Sequence, residues 1–186
     1  MAHTCPWWFG YFLLNPLRRF AQRRERILRP FVRPGMLVLE PGCGMGFFTL
    51  DLARMVAPGG RVVAIDLQEK MLAGLRQRAA RAGLEERIDI RLAQPDRLGI
   101  DDLNGQVDLV LGFYVVHEIR EQAAFFAETA GALKADGAVL VVEPPLHVSR
   151  AAFEASLAVA GRAGLRVARR PLIGPNKVAL LTKSAT

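Results

Sequence analysis

From residue 36 onward, short aliphatic and β-branched runs alternate with stretches in which apolar positions recur every three or four residues. The runs over about 37–40, 61–66, 88–92, 107–111 and 138–143 predict strands. Helices are expected over about 47–56, 69–82, 121–133 and 149–163, with a short helical turn around 97–103. Alternation of strand and helix implies parallel strands. Two further strand-like runs, 165–170 and 177–182, are separated only by residues 171–176. No crossover helix fits between them, so the last strand is expected to run antiparallel. Gly59-Gly60, Gly83 and Ala135-Asp136-Gly137 stand where helix ends use left-handed caps or turns. The expected fold is α/β, a doubly wound, mostly parallel seven-stranded sheet with an antiparallel last strand.

A different pattern precedes this. After Asn15-Pro16, an N-cap followed by proline at the first helical position, apolar residues recur at Leu17, Phe20, Ala21, Ile27, Leu28 and Phe31. Most of the arginines fall on the other face, and Pro30 and Pro34 close the helix. The expected division is an aromatic and basic lead-in over 1–35 and a ligand-binding domain over 36–186.

Charge and composition sharpen that division. A chain of 186 residues, 51% hydrophobic, suffices for one well-buried core. Of the net charge of +7, residues 1–36 carry +6, from seven arginines against Glu25. The remainder is nearly neutral, so the high pI is no nucleic-acid footprint over the whole domain. Nucleic acid is not expected as a partner. Cys5 and Cys43 lie far apart and outside any CxxC pair, which argues against a zinc cluster or a disulfide framework. The apolar run from Trp7 to Leu14 precedes the positive charges, the reverse of a secretory signal, and is far shorter than the roughly 20 residues of a spanning helix. A reducing cytoplasm is the expected location.

The densest chemistry is the segment Leu37-Val38-Leu39-Glu40-Pro41-Gly42-Cys43-Gly44-Met45-Gly46, a strand tip, an acid and three alternate glycines before a helix. Such glycines let backbone approach a ligand at a helix N-terminus, beyond the carboxyl end of a strand. A dinucleotide fingerprint needs its third glycine at Phe47, so that spacing fails. A carboxylate at Glu40 would also repel a pyrophosphate, whereas it suits ammonium and sulfonium groups. Val62-Val63-Ala64-Ile65-Asp66 is a second strand ending in an acid, 20 residues after Gly46, placed to accept ribose hydroxyls. Read more simply, Asp66 is a helix N-cap and Cys43 a small filler.

The glycine segment, the Asp66 strand, Val107-Asp108-Leu109-Val110 through His117-Glu118, and the turn Leu133-Lys134-Ala135-Asp136-Gly137 occur in order. Together they resemble class I S-adenosylmethionine-dependent methyltransferases. The resemblance implies S-adenosyl-L-methionine as cofactor, bound by Glu40, Gly42, Gly44, Gly46 and Asp66, with Leu67 packing the adenine and Phe113 walling the pocket. Many relatives carry an acid after strand three for the adenine amino group. Here Gln94 takes that position, or Asp96 if the turn is registered two residues later.

A small-molecule acceptor is expected. His117 and Glu118, just past strand four, are candidate general bases, Tyr114 is a further candidate, and a structural role for His117 is the competing reading. Glu143 and His147 face either the acceptor or solvent. Since a sulfonium is already a good leaving group, a dedicated base is not mandatory. Trp7, Trp8, Phe9, Tyr11, Phe12 and Phe20 are six of the 14 aromatic residues, which suggests that the lead-in forms a lid and an apolar acceptor pocket. The alternatives are an amphipathic helix at a membrane surface serving a lipid or quinone-like acceptor, RNA methylation, and a non-catalytic binding protein. Cys5 is thin support for a soft-metal acceptor.

Overall fold

The computed structural model describes residues 24–184. The six aromatic residues from Trp7 to Phe20, Cys5 and the first part of the predicted lead-in helix, and with them the expected lid, lie outside the described residues. The chain divides into two compact units, which meet in sequence between Ala93 and Gln94.

In the first unit, helix α1 (Arg24–Leu28) stops just before Pro30, as the missing proline N–H requires, and Leu28 and Val32 are buried. Strand β1 (Leu37–Pro41) is buried at every position, and β2 (Arg61–Asp66) at its four central ones. Strand β3 (Ile88–Leu92) completes a parallel set, β1 pairing β2 from Leu37↔Arg61 and β2 pairing β3 from Val62↔Ile88. The connections are helix α2 (Thr49–Met55) and helix α3 (Glu69–Ala82). Helix α3 buries Met71, Leu72, Leu75 and Ala79, one helical stripe, and ends at Gly83 with φ +63°. Gly60 has a different reason for being glycine. A Cβ there would stand 2.5 Å from the carbonyl oxygens of both Met36 and Val56, so only glycine lets β2 begin at this point.

In the second unit, strand β4 (Val107–Phe113) pairs in parallel with β5 (Leu133–Glu143), joined by helix α4 (Gln122–Ala132). Helix α5 (Arg150–Arg162) is capped by Ser149, whose Oγ accepts the Ala152 N–H at 3.0 Å. Strands β6 (Leu165–Arg169) and β7 (Lys177–Lys183) follow, and β7 runs antiparallel to both β5 and β6. The hairpin expected from the short connection is therefore present. Within the first unit the strands take the order β3-β2-β1, and within the second β4-β5-β7-β6.

One expectation fails. Ala135-Asp136-Gly137 is not a helix-end turn, because strand β5 already begins at Leu133. Its register against β4 jumps from Val107↔Leu133 to Leu109↔Ala138, so the extra residues form an irregularity within the pairing. Gly137 has no positive φ; a Cβ there would meet the Val107 carbonyl oxygen at 2.7 Å, and close backbone approach is what requires glycine.

Candidate functional site

In the first unit, β1 delivers Glu40 to the start of the glycine loop. Gly42, Gly44 and Gly46 all take positive φ, at +69°, +55° and +80°. That region disfavours side chains bearing a Cβ, so the alternation of glycines is a conformational need. Glu40 is 4% exposed and accepts a hydrogen bond at 2.6 Å from the hydroxyl of Thr49, the first residue of α2. Burial pushes its carboxyl up to about 8, against the lowering effect of Thr49 and with smaller raising contributions from Asp66 and Asp51. A cation placed beside this carboxyl would favour its charged form.

Asp66 ties the loop to the next helix. Its Oδ2 accepts the Gly44 N–H and its Oδ1 the Gln68 N–H, both at 2.9 Å. Burial raises its pKa, while backbone hydrogen bonds from Gln68, Gly44 and Leu67 oppose the rise. A carboxylate has about four acceptor positions, so these bonds still leave room for a hydroxyl donor. Leu67 beside it is 48% exposed, an apolar side chain left uncovered at the end of β2. Burial, then the neighbouring Glu40 and Asp66, push the Cys43 thiol well above its ordinary value, which supports a filler and not a nucleophile. Sequence reasoning missed Arg78 of α3, whose Nη1 donates to the carbonyl oxygens of Met45 and, at 3.0 Å, Gly46. No local motif marks Arg78; only the packing of α3 brings it to the loop.

In the second unit, Gln94 and Arg97 exchange backbone hydrogen bonds at 3.0 and 3.3 Å, closing a turn that leaves the side chains of both Gln94 and Asp96 exposed. Phe113 ends β4, half-buried, its ring 4.5 Å from that of Tyr114. Tyr114 takes φ +59°, a strained conformation for a bulky residue that clusters at functional sites and costs on the order of 1–3 kcal/mol. Its hydroxyl donates to Asn176 Oδ1 at 2.7 Å, and its N–H to the Val142 carbonyl at 2.8 Å. These bonds hold the strained turn in place.

The turn leads into a 3₁₀ segment, Val116–Glu118, and there His117 meets Glu143 at the end of β5. His117 N–H donates to Glu143 Oε1 at 3.1 Å, and Nδ1 lies 2.5 Å from Oε2. The Glu143 side chain is 2% exposed and that of His117 28%. Glu143 is thus shut away from bulk solvent and orients the imidazole. The hydrogen bond to Glu143 raises the His117 pKa; desolvation opposes it, and the charges of Glu143 and the half-buried Glu118 add to it. His147 is exposed in the loop after β5. Glu143→Gln is expected to return the His117 pKa toward its ordinary range, checked by NMR titration of the imidazole; an unmoved midpoint would show that Glu143 does not control it.

Comparison with known proteins bears directly on these two sites. A family model described as a methyltransferase domain matches residues 38–137, which include the glycine loop, Asp66 and His117. The chain belongs to this methyltransferase family. It is 30% identical over 153 residues to a demethylmenaquinone methyltransferase of Lactococcus lactis, covering 77% of this chain and 59% of that protein. It is 33% identical over 141 residues to a ribosomal protein L11 methyltransferase of Pelotomaculum thermopropionicum, covering 74% and 42%. The chain therefore spans less than two thirds of the length of these relatives. A solved methyltransferase of Aquifex aeolicus, described as SAM-dependent, shares the fold at TM-score 0.84 and 24% identity, covering 96% of this chain and 98% of that one.

S-adenosylmethionine is the cofactor of this family, and the residues present fit it. A nearly fully buried carboxyl suits an ammonium or sulfonium group, whose charge would favour its ionised form, and three left-handed glycines allow backbone approach. Glu40, the glycine loop and Asp66 are the residues that would hold it. Among the described residues no cluster of histidine, cysteine, aspartate and glutamate is suited to hold a metal ion, and no helix is long and apolar enough to cross a membrane.

Proposed function

We propose that this chain transfers a methyl group from S-adenosylmethionine to a small, apolar or aromatic acceptor. The observation that carries the donor half is the buried Glu40 carboxyl at the head of the glycine loop. When bound, the cofactor supplies a methyl group already attached to a good leaving group. The remaining work of the protein is to orient the acceptor, exclude water and receive a proton where the acceptor has one to lose. His117 is suited to the last task. Glu143 fixes its Nδ1, and Nε2 remains for exchange with an acceptor hydroxyl or amine.

A quinone-like acceptor associated with a membrane is the second reading. Three of the relatives, from Lactococcus lactis, Symbiobacterium thermophilum and Lactobacillus johnsonii, are demethylmenaquinone methyltransferases by name. Leu146, after β5, and Leu172, between β6 and β7, are 94% and 97% exposed, and both loops leave the same end of their strands. We place the activity in the reducing cytoplasm, with Cys43 as an unpaired thiol.

The test is transfer of labelled methyl from S-adenosylmethionine to hydroxyaromatic and quinol acceptors, with RNA as a parallel arm. Label on the aromatic arm and none on RNA is the expected result. Donor binding without transfer to any acceptor would identify a non-catalytic binding protein instead.

A further inference from the structure

A cavity of about 310 Å³ opens in the second unit. Helix α5 lines it with Ala152, Ala155, Ser156 and Val159, positions that repeat on one helical face. This is not the face that α5 buries in the core, which carries Phe153, Leu157 and Ala160. The helix thus has a second apolar stripe, built from small side chains that leave space. Ala152 and Ala155 are exposed, so the cavity is open to solvent on that side.

Its other wall is chemical. His117, Glu143 and Gln122 line it opposite the alanines' helix. Glu143 is held by His117 through both of its oxygens, and the Gln122 amide nitrogen donates to the Val116 carbonyl at 2.9 Å. That leaves His117 Nε2, the Gln122 amide oxygen and the Ser156 hydroxyl with no hydrogen bond among the described residues. An apolar slot ending in a few polar groups that still have bonds to make is the usual form of a small-molecule site.

Size and charge narrow the occupant. An apolar cavity of about 150 Å³ accommodates benzene, so this one is of the size of two fused rings. The buried Glu143 carboxylate is already matched by His117, and no other lining residue bears a charge, which disfavours a charged ligand. A hydroxyl can donate to or accept from an imidazole nitrogen, in either protonation state. We infer that this cavity binds a neutral hydroxyaromatic of about two fused rings, with its rings on the α5 stripe and its hydroxyl at His117. The inference rests on the proposed methyl transfer only in naming this ligand as the acceptor; the binding itself stands without it.

The probe is 2-naphthol, titrated into the full chain by its fluorescence, with naphthalene as the comparison lacking a hydroxyl. Saturable 2-naphthol binding, at least about tenfold tighter than naphthalene, is expected from one hydrogen bond of ordinary strength in a desolvated site. Ala155→Phe fills the slot from its exposed side without overpacking the core, and is expected to weaken 2-naphthol at least tenfold. Its melting temperature and its affinity for S-adenosylhomocysteine should stay unchanged. Ala152→Leu repeats the test from the neighbouring turn should the phenylalanine variant not fold. His117→Phe should erase the preference for 2-naphthol over naphthalene. Equal binding of the two probes, or wild-type 2-naphthol affinity in both filled variants, overturns the assignment. Binding of S-adenosylhomocysteine without 2-naphthol overturns this cavity while sparing the donor site. Binding of 2-naphthol without the donor product supports the cavity and defeats the proposed function.

Discussion

Replacing Glu40 by glutamine is expected to stabilise the unliganded protein at pH 8 while weakening its affinity for S-adenosylhomocysteine roughly thirtyfold, about 2 kcal/mol. Both effects follow from one buried carboxyl. Its ordinary value is 4.5 and the folded value about 8. Between these limits the folded chain keeps a proton that the unfolded chain has released. Stability therefore falls as pH rises through this window, by about 1.4 kcal/mol per pH unit at the steepest, on the order of 5 kcal/mol in all. Glutamine has no proton to lose, and its amide oxygen still accepts the Thr49 hydroxyl. Thermal melts from pH 5 to 8.5 should show a steep decline in the wild type and a flatter one in Glu40→Gln. Parallel curves would mean that Glu40 is not the controlling group. Donor binding should also release protons near pH 7, since an ammonium favours the carboxylate, and calorimetry in buffers of different ionisation enthalpy reads this directly.

The glycine loop should separate into two kinds of position. Gly46 takes φ +80°, and a Cβ there would lie 2.4 Å from Cδ1 of Leu75, a fully buried side chain of α3 with little freedom to move. Gly46→Ala is therefore expected to cost about 3 kcal/mol, the sum of overpacking and left-handed strain. Gly44 takes φ +55° with nothing within 4 Å of an added Cβ. Gly44→Ala should cost only about 1 kcal/mol in stability. Its methyl projects into open space, on the side where the proposed site would bring the cofactor to the backbone, so S-adenosylhomocysteine affinity should fall at least tenfold. Urea denaturation and a binding titration on each variant give both quantities. Undiminished affinity in Gly44→Ala would show that this part of the loop does not approach the ligand.

The local parts of this fold and site are legible in one dimension because they rest on short-range rules. Period and punctuation place β2, α3 and β3 at their observed bounds, and the six-residue connection before Lys177 dictates the antiparallel last strand. The alternate glycines announce left-handed backbone after β1, since φ is a property of a residue and its neighbours. What the chain order does not contain is which side chains are shut away from water together. Glu40 reads as an anion in the sequence, and it is burial in the fold, against the opposing hydrogen bond from Thr49 nine residues on, that raises its pKa. Gly137 reads as a turn, and only the approach of the Val107 carbonyl shows why it must be small. Arg78 reaches the loop from 32 residues away, and Glu143 reaches His117 from 26. The family and the left-handed glycine loop were thus determined by sequence, through local conformation and ordered motifs. The protonation of Glu40, the orientation of His117 and the small-residue slot on α5 were decided by tertiary packing, because desolvation and contact act between residues that the chain keeps apart.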